Sequence, residues 1–393
     1  MANKRVFYAV QRAGINPMGE GFADLETVRG LQTLGITTTF NLEQVFEIGQ
    51  LALYENIEGI PDIEVSTEKV LDGYSPVYLL ATQADVDGTV VPTSALAGRA
   101  AGICNVGVSI YPETDSNAQG TALTNLQMSG MYVSSVSYNA SVDGNATESC
   151  TLVGNNKVWV LGGDTAAMKG YVISQNTYDS PWTTTTQPKS ISDSGGVNQR
   201  EDVIFGSAVG LSGVSVLPIN IPGITNAGDA TNPSGINELG SDGCYGAAIQ
   251  NWSMNVDLGR EELFELGKRG SYYRYVNFPV EVTNEFGVIS TSGDLISATE
   301  EGLYGSEAGC GGLYNLIDQP IRLVMCEGLV VNCGSQNKLS SVGVSGGDAG
   351  GGNMEVSYSY TNFNDFDVKH PSDPNTALWP GGTGDDISVW DAF

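Results

Sequence analysis

One order of segments occurs twice along the chain, first between about residues 42 and 160 and again between about residues 241 and 368. Such a repeat predicts two copies of one β-rich unit rather than a single irregular domain, and so limits the possible folds more than any single residue does. The first copy reads YENIEGIPDIEV at 54–65, the charged STEKVLDG at 66–73 and the strand-like YSPVYLLAT at 74–82. The second reads YGAAIQNWSMNV at 245–256, DLGREELFELG at 257–267 and YYRYVNFPVEVT at 272–283. Further on, ICNVGVSIYP at 103–112 and MYVSSVSYNASVDG at 131–144 are echoed by IRLVMCEG at 321–328 and MEVSYSYTNF at 354–363.

Strand patterning carries most of the remaining signal. In the first copy, strands are expected at 51–54, 63–66, 77–81, 106–111, 132–141, 148–153 and 158–161. Alternation is clearest where Tyr132, Ser134, Val136, Tyr138 and Ala140 oppose a small, mostly polar face of Val133, Ser135, Ser137, Asn139 and Ser141. An amphipathic helix is expected at 23–34 (ADLETVRGLQTL), and a second helix at 259–267 (GREELFELG). The 51 glycines gather with Ser, Asn and Asp in runs such as SDSGGVNQ and GGDAGGGN, which read as turns and long loops. Residues 177–196 have the composition of one long loop, and VSVLPI at 214–219 that of an edge strand ending near Pro218. The expected organisation is an N-terminal arm (1–41), a first module (42–160), a loop-rich connection (161–240), a second module (241–368) and an acidic tail (369–393).

A net charge of −28 narrows the functional classes. Wrapping nucleic acid needs clustered Lys and Arg to displace counterions, and a surface of the same sign as phosphate repels it. No apolar run reaches the length of roughly 20 residues that a membrane helix needs, and the opening MANKRVFYAVQRAG predicts no signal peptide. The six cysteines lack CxxC spacing in a chain large enough to fold without staples, so buried reduced thiols are expected, with a disulfide or a zinc site as alternatives.

Signals for catalysis are sparse. The one histidine, His370, lies in VKHPSDP, a poor setting for a preorganised triad or a histidine-rich metal site. No GxxxxGK[ST] loop occurs, and GGDAGGG at 346–352 lacks the strand-to-helix context of a dinucleotide fingerprint. Asp365 with Asp367, or Asp385 with Asp386, offers carboxylates for calcium but not in a D-x-[DN]-x-[DN]-G loop. No cofactor is expected.

Three stretches together, 44–74, 131–159 and 249–283, resemble the major tail tube proteins of tailed bacterial viruses. The resemblance rests on fold signatures such as VSSVSYNASVDG, TESCTLVGNNK and GREELFELG and covers about half the chain. It implies a mainly β fold of two tandem β-sandwich or barrel-type modules with short helices, long loops and terminal arms. It also implies a non-enzymatic virion protein, assembled in the host cytoplasm, that forms stacked rings. Its implied partners are further copies of itself, tape measure, tail terminator and baseplate proteins, and genome DNA that passes without tight binding. It implies no membrane partner. With two modules per chain, a pseudo-hexameric trimer is expected over a hexamer. Carboxylates lining the channel would keep DNA from sticking, and Glu64, Glu68, Glu281 and Asp294 are the candidates. The competing expectation is another β-rich virion protein, such as a capsid decoration, baseplate or host-binding fibre.

Overall fold

The computed structural model describes residues 6–18, 22, 25–83, 95–111, 122–161, 197–200, 203–204, 249–267, 271, 273–289, 318, 321–325, 329–346 and 353–370. The chain opens with β1 (Gln11–Pro17), β2 (Glu26–Thr27) and β3 (Leu31–Thr39). The hairpin β4 (Leu42–Phe46) and β5 (Leu53–Glu58) follows, then β6 (Asp62–Val70), α1 (Val77–Ala81) and α2 (Leu96–Arg99). Next come β7 (Cys104–Ile110), the long β8 (Thr124–Ser141), β9 (Thr147–Gly154), β10 (Asn156–Leu161) and the short β11 (Val203–Ile204). The later part holds β12 (Ile249–Asp257), the hairpin β13 (Arg260–Leu263) and β14 (Tyr273–Val276), and β15 (Glu281–Ile289). It closes with β16 (Arg322–Met325), β17 (Val330–Asn332), β18 (Lys338–Ser345), β19 (Glu355–Phe363) and β20 (Asp367–Lys369). The fold is mainly β, with large antiparallel sheets and few short helices.

Strand β8 organises the molecule, because its 18 residues belong to two sheets. Residues 124–131 lie between β7 and β10, and β7 in turn pairs with β1. From Tyr132 onward the same strand lies between β9 and β12. The switch falls at Gly130, whose φ of 69° is open to glycine, beside a register shift opposite β7. A bulge there bends the strand and increases its twist, which is how one strand serves two sheets.

On the second sheet the neighbours run β3-β6-β9-β8-β12-β15-β19-β18, each pair antiparallel. Strands from the early and late parts of the chain therefore alternate polar and apolar residues over one shared surface. Its apolar side packs on α1, β7 and the four-stranded sheet β11-β16-β17-β20 in one core cluster containing Val65, Val136, Tyr138, Trp252, Phe286, Tyr358 and Val331. Each fully buried aromatic or large aliphatic side chain contributes about 1.5–3 kcal/mol through area removed from water.

Several local expectations are corrected. Residues 77–81 form helix α1, not a strand, and residues 23–34 contain β2 and the start of β3 where a helix was expected. GREELFELG forms β13 and the turn after it, bounded by Gly259 (φ 49°) and Gly267 (φ 88°), because Arg260–Leu263 pairs with Tyr273–Val276. The segment 54–65 is not one strand comparable with β12, since it runs from the separate β4–β5 hairpin into β6. Strands expected near 63–66, 106–111, 132–141, 148–153 and 158–161 are present as β6 to β10. The 177–196 loop, the 214–219 strand and the tail from residue 371 lie outside the described residues.

Candidate functional site

The most distinctive surface is the outward side of the eight strands from β3 to β18. Strict alternation in β6 buries Ile63, Val65, Thr67 and Lys69 and turns Asp62, Glu64, Ser66 and Glu68 outward. Cross-strand register extends that outward set. Glu68 stands between Thr33 and Ser149, and Glu64 between Thr37 and Val153. In the middle of the sheet Ser135, Ser137 and Asn139 oppose Asp257, Asn255 and Ser253. Beyond them Thr283 and Glu285 stand opposite Thr361 and Ser359, and Glu281 opposite Phe363. Glu355 and Lys338 complete the outward set on the last two strands.

The outcome is a broad face of hydroxyls, amides and carboxylates. Asp62, Glu64, Glu68, Asp257, Glu281, Glu285 and Glu355 give it seven acids against Lys338. Glu64, Glu68 and Glu281, singled out from the sequence, all lie on it, whereas Asp294 lies outside the described residues. Sequence reasoning missed Asp62, Asp257, Glu285 and Glu355, although the even spacing of Asp62 with Glu64 and of Glu281 with Glu285 carried the signal for Asp62 and Glu285.

Two long edges bound this face. Among the described residues, β3 pairs with β6 alone and β18 with β19 alone. Backbone N–H and C=O groups along a free edge form a template for another strand.

Two hairpins leave the sheet at one end. β4–β5 follows β3, and β13–β14 follows β12; four antiparallel steps separate β3 from β12, so the two strands run the same way. The β4–β5 hairpin is exposed along almost its whole length and carries apolar side chains to its tip, with Ile48 and Leu51 fully solvent-exposed. Its base is held where the Asn41 amide donates to the Ile60 carbonyl and to Asp62, both at 3.0 Å. The β13–β14 hairpin is instead tied down. Arg260 donates to the carbonyls of Val133, Ala100 and Arg274 and stacks over Tyr132, and Arg274 pairs with Glu262 and, at 2.9 Å, with Asp62. Burial lowers the Arg260 pKa to about 10, leaving it cationic at neutral pH.

Beneath the face lies a buried polar group. Glu148 accepts from the backbone N–H of Val77 (2.6 Å) and Tyr78 (3.0 Å) and from the Tyr138 hydroxyl (2.9 Å). Burial raises its pKa while those donors and Lys69 pull it back. Lys69, itself buried, pairs with Asp72. These contacts satisfy the first turn of α1 and fix it under β9, a structural role for the charges. His370 is buried at the end of β20, its pKa lowered to about 3 by burial and by Lys69.

Among the described residues no group of three or more His, Cys, Asp or Glu is placed to hold a metal ion. Asp365 accepts from the backbone N–H and the hydroxyl of Ser335, and Asp367 pairs with Lys369, so each of these two has a structural partner; Asp385 and Asp386 lie outside the described residues. Cys104, Cys150 and Cys333 are buried free thiols, and burial pushes Cys104 up to about 12, far from a reactive thiolate.

No protein-family model and no curated protein matches the chain. Among solved structures, it is similar to the tube-terminating cap of the anti-feeding prophage (9% identity, 41% of this chain and 94% of that chain, TM-score 0.29). It is also similar to a chain of the anti-feeding prophage baseplate (11% identity, 42% and 99%, TM-score 0.30). A third is a chain of the native gene transfer agent virion (16% identity, 38% and 95%, TM-score 0.25).

Proposed function

We propose that the protein is a virion structural subunit that self-assembles into stacked rings of a phage-type tail tube, with the polar face of the central sheet lining a channel for genome DNA. One observation carries this reading: the face is broad, small-chained and acid-rich, while the two edges that bound it are open among the described residues. A surface of that kind suits the passage of a polyanion without capture. It offers carboxylates and hydroxyls where a binding surface would offer Lys and Arg. The open edges suit addition of further copies in the plane of the sheet, and closure removes the aggregation hazard they otherwise pose.

Stacking between rings falls to the hairpins that leave the sheet at one end, chiefly β4–β5 with its exposed Phe46, Ile48 and Leu51. Exposed apolar groups gathered on one projection mark a contact surface. Tape measure, terminator and baseplate proteins are the further partners of this reading, and catalysis has no part in it. Negative-stain electron microscopy of the purified protein over a range of concentration and salt tests it. Hollow rings or tubes with an axial channel are expected, and a protein that stays monomeric at all concentrations overturns the assignment.

A further inference from the structure

The two edges left unpaired among the described residues are not arbitrary. We propose that the central sheet is a tandem repeat of four-strand units, β3-β6-β9-β8 and β12-β15-β19-β18, and that β18 of one copy pairs with β3 of a second copy as β8 pairs with β12. This deepens the tube reading and rests on it for the closing of a ring.

Four independent features support the repeat. First, the chain order of the strands maps onto the same spatial order in both units. Second, a hairpin leaves each unit at the same point, between its first and second strands. Third, strand bounds correspond, with Leu31–Thr39 matching Ile249–Asp257 and Asp62–Val70 matching Glu281–Ile289. Fourth, irregularities fall at matching places. The shift at Leu31/Thr33 matches that at Ile249/Asn251, and the shift at Val133/Ser135 matches that at Leu339/Ser341. Bulges are inherited features of a strand pair, not random defects. The sequence agrees at the second of them, where VSSVS at 133–137 faces LSSVG at 339–343.

The β8–β12 junction then fixes the register between copies. Val136 opposite Val256 becomes Val342 opposite Thr38, and Tyr138 opposite Met254 becomes Val344 opposite Ile36. Ser137 opposite Asn255 becomes Gly343 opposite Thr37, and Ser135 opposite Asp257 becomes Ser341 opposite Thr39. The transferred register keeps the faces in phase. Thr37, Thr39, Ser341 and Gly343 fall on the polar side, while Ile36, Val342 and Val344 fall on the apolar side. Val344 is 53% exposed in the single chain, and the second copy covers it.

Oxidative cross-linking tests the register. Chains carrying Gly343→Cys are mixed with chains carrying Thr37→Cys, and a second mixture pairs Ser341→Cys with Thr39→Cys. All four positions lie on the polar side, outside the packed core. Disulfide-linked dimers are expected in both mixtures, and none when Gly343→Cys is mixed with Thr38→Cys, a slip of one residue that points the thiols to opposite faces. Rings by electron microscopy with no cross-link in either mixture overturn the register and leave the tube reading standing. Cross-linked dimers that never form rings support the edge pairing and overturn the tube. Monomers throughout overturn both.

Discussion

On the proposed tube reading, reversing the charge of the polar face should turn a surface that sheds DNA into one that holds it. Glu64→Lys, Glu68→Lys and Glu281→Lys together change six charge units, taking the face from seven acids against one lysine to four against four. Glu64 and Glu68 lie on one strand roughly 13 Å apart, beyond a Debye length of about 8 Å at 0.15 M salt, so each meets its own phosphate. A phosphate about 7 Å from one unit charge in water, screened at that ionic strength, feels about 0.25 kcal/mol. Each substitution, worth two units, therefore changes the interaction by about 0.5 kcal/mol, and the three by about 1.5 kcal/mol, close to a tenfold gain in affinity per chain. Fluorescence anisotropy with a labelled duplex of random sequence at 0.15 M salt reads the change. The natural protein should show no saturable binding, whereas the triple variant should enter the non-specific range of roughly 10⁻⁴–10⁻⁶ M and weaken steeply with added salt. Saturable binding by the natural protein at that salt, or a folded triple variant with no gain, would refute a face kept anionic to shed phosphate.

Other outcomes follow from the core. Glu148→Gln keeps the shape but sets an amide against donors, and should cost about 1–3 kcal/mol in urea unfolding through an unsatisfied backbone N–H at α1; a loss below about 0.5 kcal/mol would mean that Glu148 does not hold α1. Trp252→Ala, at a residue packed between Ala140 and Phe286 and 1% exposed, should cost about 3–5 kcal/mol in the same assay. His370 has a folded-state pKa of about 3, below its unfolded value, so its stabilising contribution is present above about pH 6.5 and is lost as pH falls toward 3. The total over that window is roughly 4–5 kcal/mol. Glu148, shifted upward, acts in the opposite sense as acid is added, so the His370 contribution is read as the difference between the natural protein and His370→Gln, which should lose less stability on acidification.

The sequence was most legible where a strand has one wet and one dry side. DIEVSTEKV and VSSVSYNAS announce their strands by alternation, and Glu64 and Glu68, chosen as channel-lining candidates on the tube resemblance, stand on one side of β6 through the same alternation. It failed where short apolar or charged runs fit either period. VYLLA is apolar throughout, and what makes it a helix is a distant group, Glu148, meeting the free N–H groups of Val77 and Tyr78. REEL is a hairpin strand because it pairs with YRYV at 273–276 and Arg260 ties it to the carbonyl of Val133, contacts that local propensity cannot register. The duplication was read from an order of segments in which residues 54–65 were matched to 245–256 because both run from Tyr to Val, and that match fails because a chain turn divides the first of them. Outward positions such as Asp257 and Glu355 needed the cross-strand register before they joined the face.

Strand β8 has a mechanical consequence of its own. Both of its edges are hydrogen-bonded, with β7 and β10 on one stretch and β9 and β12 on the next, so it acts as a tie rod between the two sheets. A pull along its axis loads those bonds together in shear and cannot peel them one by one as it would at a free edge. Resistance to stretching is therefore concentrated in one continuous strand, while the bulge at Gly130 supplies the joint at which the two sheets can flex.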